Sequence, residues 1–499
     1  MAAASSGAIV MAVALVGVGA GPSCAAHYAS GTANPSASSQ AGDRTSSALA
    51  QKKGKPGRLR VLVNGAGSYA IKGKGTCAVA GTSRSYRLAP GKYTVEALGA
   101  ELRPATVNVR SGKQTPVRVS FTGRLPKGAV QRVSANSAGI PANGESRSPA
   151  WSPDGTRIAF ISTATNLAKG PAKGGLFVKT LSTGRVERLA AFPPDRSTLP
   201  FDGVVFWSPD GTRIAFVSKD ANLVQGDMPN TSDVFVVSLN SGEIIRASVD
   251  DQGRPGGNRA DSYDPAWSPD GTRLAFVSDQ LVPEDPSLGG PDLYVKDLTT
   301  GAVQMIATGK YYGASYGPAW APDGDRIAWD QSGIQVRELA SGATTLAVAD
   351  SEAADPVWSP DGTRIAYSVG WDVSAVTLGS GRRELVTPRG WVTFGQRWTP
   401  NGSGILMNGG PQKTGVMHVN DVFVRDLGSR KITVLSTNSQ GQKLRSKSYS
   451  KPPTERESAS EGSVSPDGRR VAFTTMASNV VPCNSDPHRG DAVFVKTLS

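Results

Sequence analysis

The stretch Gly313-Ala-Ser-Tyr-Gly317 has the Gly-x-Ser-x-Gly spacing of a nucleophile elbow, in which a serine on a sharp turn attacks an acyl carbon. An elbow stands between a strand and a helix, however, and this one leads straight into Pro318-Ala-Trp320, which reads as the start of a strand. It is assigned no nucleophile. Base and metal chemistry are thin as well: the chain has 3 His, and His418 and His488 are too few for a metal–histidine cluster. Two oxygen-rich loops, Gly226-Asp-Met-Pro-Asn-Thr-Ser-Asp233 and Asn484-Ser-Asp-Pro487 with Asp491, offer ligands for calcium but lack the spaced acidic series of an EF-hand loop. Hydrogen bonds from Asp233 and its equivalents to neighbouring backbone explain the same residues. No catalytic residue, metal site or cofactor is therefore expected, calcium being the one candidate ion. The remaining chemistry is aromatic. Tyr311, Tyr312, Tyr316, Trp371 and Trp391 have the types to form a ligand platform, and the same types also serve as core.

Such groups need a regular frame, and the regular feature of this chain is a repeat. The decapeptide Trp-Ser-Pro-Asp-Gly-Thr-Arg-Ile-Ala-Phe at 151–160 returns closely at 207–216, 267–276, 320–329 and 358–367, and more loosely at 398–407 and 464–473. Pro presets its own φ, Asp tolerates the bridge region and Gly takes positive φ, so Ser-Pro-Asp-Gly is a tight hairpin corner. The alternating apolar run behind it reads as a half-buried strand. A second motif trails the corner, as in Asp233-Val-Phe-Val-Val-Ser-Leu239 and Asp292-Leu-Tyr-Val-Lys-Asp-Leu298, and in several units one more short strand follows. Four strands per unit at a period of roughly 40 to 65 residues is the signature of propeller blades. The expected fold class is all-β: a seven-bladed β-propeller over 129–499, preceded by a small β-sandwich over 56–125.

The last unit stops at its third strand. Ala129-Val-Gln-Arg-Val-Ser134 looks like the outer strand Glu243-Ile-Ile-Arg-Ala-Ser248 and is expected to complete that blade, which removes two exposed sheet edges. The corners share one face of the ring. The opposite face carries long, varied connections, the usual place for binding. Those connections shrink at 330–332 and 368–371, so a notch is expected there, beside Tyr311, Tyr312, Tyr316, Trp371 and Trp391.

The decapeptide followed by Asp-Val-Phe-Val resembles the TolB-type propeller repeat, a WD-like family, over about 370 residues. The resemblance implies a propeller; the family includes envelope proteins that bind partner proteins, lipoproteins, and propellers attached to peptidases. No hydrolase domain follows the repeats in this sequence, so the expectation is binding.

The N-terminal quarter has a different character. Residues 7–21 form an apolar run of signal-peptide length, shorter than the ~20 residues that span a bilayer. Residues 1–26 are read as a leader with two routes open, cleavage after Cys24-Ala-Ala26 or lipid attachment at Cys24. Residues 27–55 are a polar tether with too little apolar surface to fold. Within 56–125, short alternating runs are separated by turn signals, and Leu88-Ala-Pro-Gly-Lys-Tyr-Thr-Val95 is similar to carboxypeptidase-regulatory and PEGA sandwiches. Up to residue 128 there are 17 Lys and Arg against 3 Asp and Glu, while the rest of the chain has 37 against 38, so the net +13 sits in this part. A basic module beside a neutral ring points to polyanions, an anionic membrane or wall polymer, or to a solvated face alone. No nucleic-acid-binding pattern accompanies it. Cys77 and Cys483 are either a pair in an oxidising compartment or two free thiols.

These readings converge on an exported, non-enzymatic binding scaffold at the bacterial cell envelope, expected to be monomeric, whose propeller recognises a protein or a glycan. The alternative is a glycan lyase or hydrolase working in the central channel.

Overall fold

A computed structural model describes residues 56–64, 68–73, 76–80, 84–98, 105–120, 127–170, 174–191, 205–227, 231–256, 261–279, 291–309, 317–412, 421–444, 459–477, 479–481 and 491–498. The leader, the tether and Cys483 lie outside the described residues, and the side chain of Cys77 does too. Among the described residues every regular element is a strand.

The first seven strands make two sheets. Gly57–Asn64 pairs antiparallel with Arg84–Leu88 and parallel with Gln114–Ser120. Ser68–Gly73 pairs with Thr76–Ala80 and with Gly91–Leu98, which in turn pairs with Ala105–Val109. Leu59, Val61 and Val117 of the one and Ile71, Tyr93, Val95 and Val109 of the other share a single core. The alternation in each strand sends one apolar face inward, and two such faces suffice to make a sandwich.

From residue 130 on, the described residues form seven four-stranded antiparallel sheets, numbered here one to seven. Sheet one runs outward from Ser146–Trp151 through Arg157–Ser162 and Gly175–Thr180 to Val186–Ala191. Inner strands of neighbouring sheets touch one another, those of sheets seven and one included, except that Ala459–Val464 of sheet seven meets the second and third strands of sheet six, Gly404–Pro411 and Asp421–Asp426. The outer strand of sheet seven is Val130–Arg132, paired antiparallel with Ala492–Thr497 beside Arg470–Thr475 and Ala459–Val464. The pairing expected for residues 129–134 is thus present, and Val133 and Trp151 share a core with Ala472, Val493 and Val495. Within sheets, stacked cross-strand rings such as Phe160–Phe177 at 5.7 Å and Phe276–Tyr294 at 6.0 Å fill the middle.

The corner has a reason for each of its letters. In sheet two, Ser208 Oγ donates to Asp210 Oδ1 at 2.5 Å, and Asp210 also accepts the Thr212 backbone N–H at 3.0 Å and its hydroxyl at 2.7 Å. Gly211 at φ 68 closes the turn by donating to the Ser208 carbonyl at 2.9 Å. Trp and Arg work between sheets. The Trp207 indole donates to the Ala150 carbonyl of sheet one at 3.1 Å, and Arg157 of sheet one lies over that indole, 4.9 Å from the ring, and donates to Gly211 at 2.9 Å. The same joint recurs as Arg213 with Trp267, Arg273 with Trp320, Arg326 with Trp358, Arg364 with Trp398 and Arg470 with Trp151.

Candidate functional site in the axial bulges

Inner strands line the axis of such a ring, and here they are irregular at one shared position. Five of them shift register against the second strand, a β-bulge. Three residues before the corner Trp or its substitute, the backbone takes positive φ: Ser148 at 57°, Asp264 at 51°, Asp355 at 53°, Glu461 at 54°, and Gly317 and Gly395 at 32° and 64°. A non-glycine residue there costs roughly 1–2 kcal/mol, which Asp reduces through local hydrogen bonds. Positive φ kept at one register position around the ring, by Ser148, Asp264, Asp355 and Glu461 as well as by two glycines, singles that position out as a candidate site.

Two of these residues brace the ring closure. Glu461 of sheet seven accepts the Ser148 N–H of sheet one at 2.6 Å and the Thr474 hydroxyl at 2.7 Å. Sheets three to five differ. Asp264 and Asp355 occupy the bulges of sheets three and five, and Asp330 ends the second strand of sheet four. Asp355 accepts the Ser368 hydroxyl at 3.1 Å, and Gln396 Nε2 donates to its backbone carbonyl at 2.7 Å. Asp330 is buried, and its Oδ1 has no hydrogen-bond partner. Burial and the Asp355 carboxylate push the Asp264 carboxyl up to about 6. Burial, then Asp355 and more weakly Asp264, push Asp330 up to about 7 against the opposing pull of backbone N–H groups. A carboxyl with this proton affinity holds or releases a proton near neutrality; among the described residues no three His, Cys, Asp or Glu side chains come together closely enough to hold a metal ion. None of the three forms an ion pair among the described residues.

The aromatic candidates are placed unevenly. Tyr311, Tyr312 and Tyr316 lie outside the described residues. Trp371 caps the tight hairpin between Arg364–Val369 and Asp372–Thr377 and is 62% exposed on the face opposite the corners. Its carbonyl accepts the Thr393 N–H at 3.0 Å. Trp391 is half-buried and meets Phe423 edge-on at 4.8 Å, a packing role. In the loop considered for calcium, Asp227 pairs with Arg246 at 2.5 Å, and Asp233 accepts the Ser248 hydroxyl at 2.7 Å and lies 3.7 Å from Arg246. These carboxylates pin the start of a third strand. Sequence reasoning passed over Asp264, Asp330 and Asp355, although the alignment on the corner Trp puts two of them at the same offset.

Residues 257–447 match the TolB beta propeller domain. The chain carries TolB-type propeller repeats. A 121-residue stretch is 31% identical to an uncharacterized peptidase of Bacillus subtilis, covering 24% of this chain and 16% of that protein. The matched part is therefore a small fraction of that relative's length. Among solved structures, an oligogalacturonate lyase in complex with manganese superposes with TM-score 0.51 at 15% identity, over 74% of this chain and 93% of the other. TolB from Acinetobacter baumannii aligns over 76% of this chain and 86% of its own, at 15% identity and TM-score 0.37. At 15% identity the likeness to the lyase is one of fold alone, and the corners at 267, 320, 358 and 398 fall within the matched span 257–447.

Proposed function

We propose that the chain is an exported, non-enzymatic scaffold of the bacterial cell envelope, whose propeller captures a partner protein through a cationic group seated on the axial carboxylates. The observation that carries this reading is the set Asp264, Asp330 and Asp355. They stand on consecutive sheets, the Asp355 carboxylate helps raise the proton affinity of Asp264 and Asp330, and none of the three has an ion-pair partner among the described residues. Mutually repelling carboxylates gain most from a shared cation, and a Lys or Arg side chain supplies one. Trp371, exposed on the face towards which the bulges lie, supplies an aromatic anchor of the kind that concentrates binding energy.

The reading is tested in intact cells with photoreactive benzoylphenylalanine in place of Trp371. It should crosslink a defined partner, and Asp264→Asn with Asp355→Asn should abolish the product. An unchanged crosslink in that double variant overturns the axial site.

A second reading, an enzyme acting on glycans in the channel, is favoured by one feature. Asp330 is held up to about 7, where a carboxyl serves as a general acid at neutral pH. New reducing or unsaturated ends released from polysaccharides, and lost in Asp330→Asn, would decide for it.

A further inference from the structure

Six of the joints between neighbouring sheets are closed on the corner face by the Arg–Trp pair. The joint from sheet six to sheet seven has neither member: Gly404 stands at the Arg position and Val464 at the Trp position, and Asn401 replaces the corner Asp. The corners themselves part there. A Cβ added to Gly155, Gly211, Gly271, Gly324, Gly362 or Gly402 would lie 3.4–3.7 Å from the Pro Cδ of the preceding corner, whereas one added to Gly468 would meet nothing within 4 Å. Two independent features, the missing side chains and the missing corner contact, thus fall on one joint.

The result is a cleft of about 970 Å³ between sheets six and seven. The equivalent gap between sheets four and five, where Arg326 covers Trp358, measures about 430 Å³. The larger cleft has walls of Pro400, Val424, Val464 and Leu498, with Lys127 and Arg469 at its edge. Both cations are exposed. Two further charges reach it and are already engaged: Asp467 accepts the Ser465 hydroxyl and the Arg469 N–H, and Lys496 donates to the Thr437 hydroxyl. The space therefore lies where an indole sits in every other joint, with apolar Pro400, Val424, Val464 and Leu498 beside polar Thr399, Asn401, Ser403 and Thr433, and its rim carries net positive charge. Its volume lies within the roughly 300–1,000 Å³ of small-molecule sites.

We infer that this cleft binds a small planar aromatic anion, with the ring in the place of the missing indole and the anionic group towards Lys127 and Arg469. The two requirements come from different parts of the chain. The repeat leaves the indole's place open, while Lys127 and the altered seventh corner with Arg469 supply the charge. A cation would fit the vacancy left by Arg, but the rim disfavours it, and the carboxylate that accompanies Arg in the other corners is an amide here. This site lies on the corner face and does not depend on the axial carboxylates.

Calorimetric titration of the full chain with naphthoate tests the inference, with naphthylmethanol as the uncharged control. Saturable binding at one site is expected, with the anion preferred by about fivefold, the scale of a partly screened charge pair. Val464→Trp, which puts an indole back in the cleft, should abolish naphthoate binding and roughly keep the melting temperature; Gly404 is left in place, because a Cβ there would lie 2.8 Å from the Arg425 carbonyl oxygen. Should that variant not fold, Lys127→Glu with Arg469→Glu, both at exposed positions, should remove the preference for the anion and leave the weaker binding of the alcohol unchanged. No saturable binding by the wild-type chain at millimolar naphthoate overturns the inference. So does equal binding by the filled variant, or an anion preference that survives the charge reversal.

Discussion

Arg470 donates to the carbonyl oxygen of Gly155 at 2.7 Å across 315 positions of sequence, and its guanidinium lies 4.7 Å from the Trp151 ring. That contact joins the last corner to the first. A charged hydrogen bond and a cation–π contact contribute about 2 kcal/mol together. Arg470→Ala should lower the unfolding free energy in urea by about that much, and Arg470→Lys, which keeps the charge but not the planar fork, should recover less than half of it.

Strand exchange at the closure gives a sharper contrast. Deleting residues 129–134 removes the outer strand of sheet seven and frees the edge of Ala492–Thr497. Deleting residues 27–51 removes none of the described contacts. The first deletion should drop the melting temperature by many degrees and the second by almost none, as followed by circular dichroism; equal melting would rule the closure out.

The axial carboxyls set a pH dependence whose sign is opposite to the usual one for Asp. Asp264 and Asp330 hold their protons more tightly folded than unfolded, at about 6 and about 7, so their effect favours folding at low pH and is lost as pH rises. The melting temperature should climb from pH 8 to pH 5, and Asp330→Asn should flatten the climb. Corner carboxyls act at the acid end. Asp270 and Asp361 are held down to about 2 by the Ser268 and Ser359 hydroxyls and the N–H groups of Thr272 and Thr363, so their contribution is complete above about pH 4 and fades towards pH 2.

The two described tryptophans of the expected platform should separate cleanly. Trp391→Ala removes an edge-on contact with Phe423 and should cost about 3 kcal/mol of stability, the scale of a truncated core aromatic. Trp371→Ala should leave unfolding within a few tenths of a kcal/mol while weakening partner capture.

Binding of the full chain to vesicles containing anionic lipid should fall steeply with salt, since exposed charges are screened beyond about 8 Å at physiological ionic strength. Salt-independent binding, or none, would return the basic residues before Gly128 to a solvated face.

The corner, the four-strand unit and the closing strand were legible because each is local or periodic. Pro, Asp and Gly declare a turn by their own backbone preferences, and an outer strand missing at one end matches a spare strand at the other. The work of Trp and Arg was not legible, because each acts on the next sheet: Arg157 meets Trp207 only after both corners have formed. The same reason hid the axial acids. Asp330 follows an apolar run and reads as the end of a strand; its partners Asp264 and Asp355 arrive from two other repeats. Looseness in the sixth and seventh copies was visible in the sequence as Gly404 and Val464, but a degraded repeat becomes a cleft only when both losses face the same gap.

The strand that completes sheet seven comes directly after the segment leading from the basic module. Tension applied to the chain ahead of Lys127 would fall first on the short ladder between Val130–Arg132 and Phe494–Lys496, helped by the bond from Gly128 to Thr497. Beside that ladder lies the one joint without an Arg–Trp clasp. A pull on the chain ahead of Lys127 is therefore expected to open sheet seven before the other sheets, whose joints with one another all keep their Arg–Trp pair.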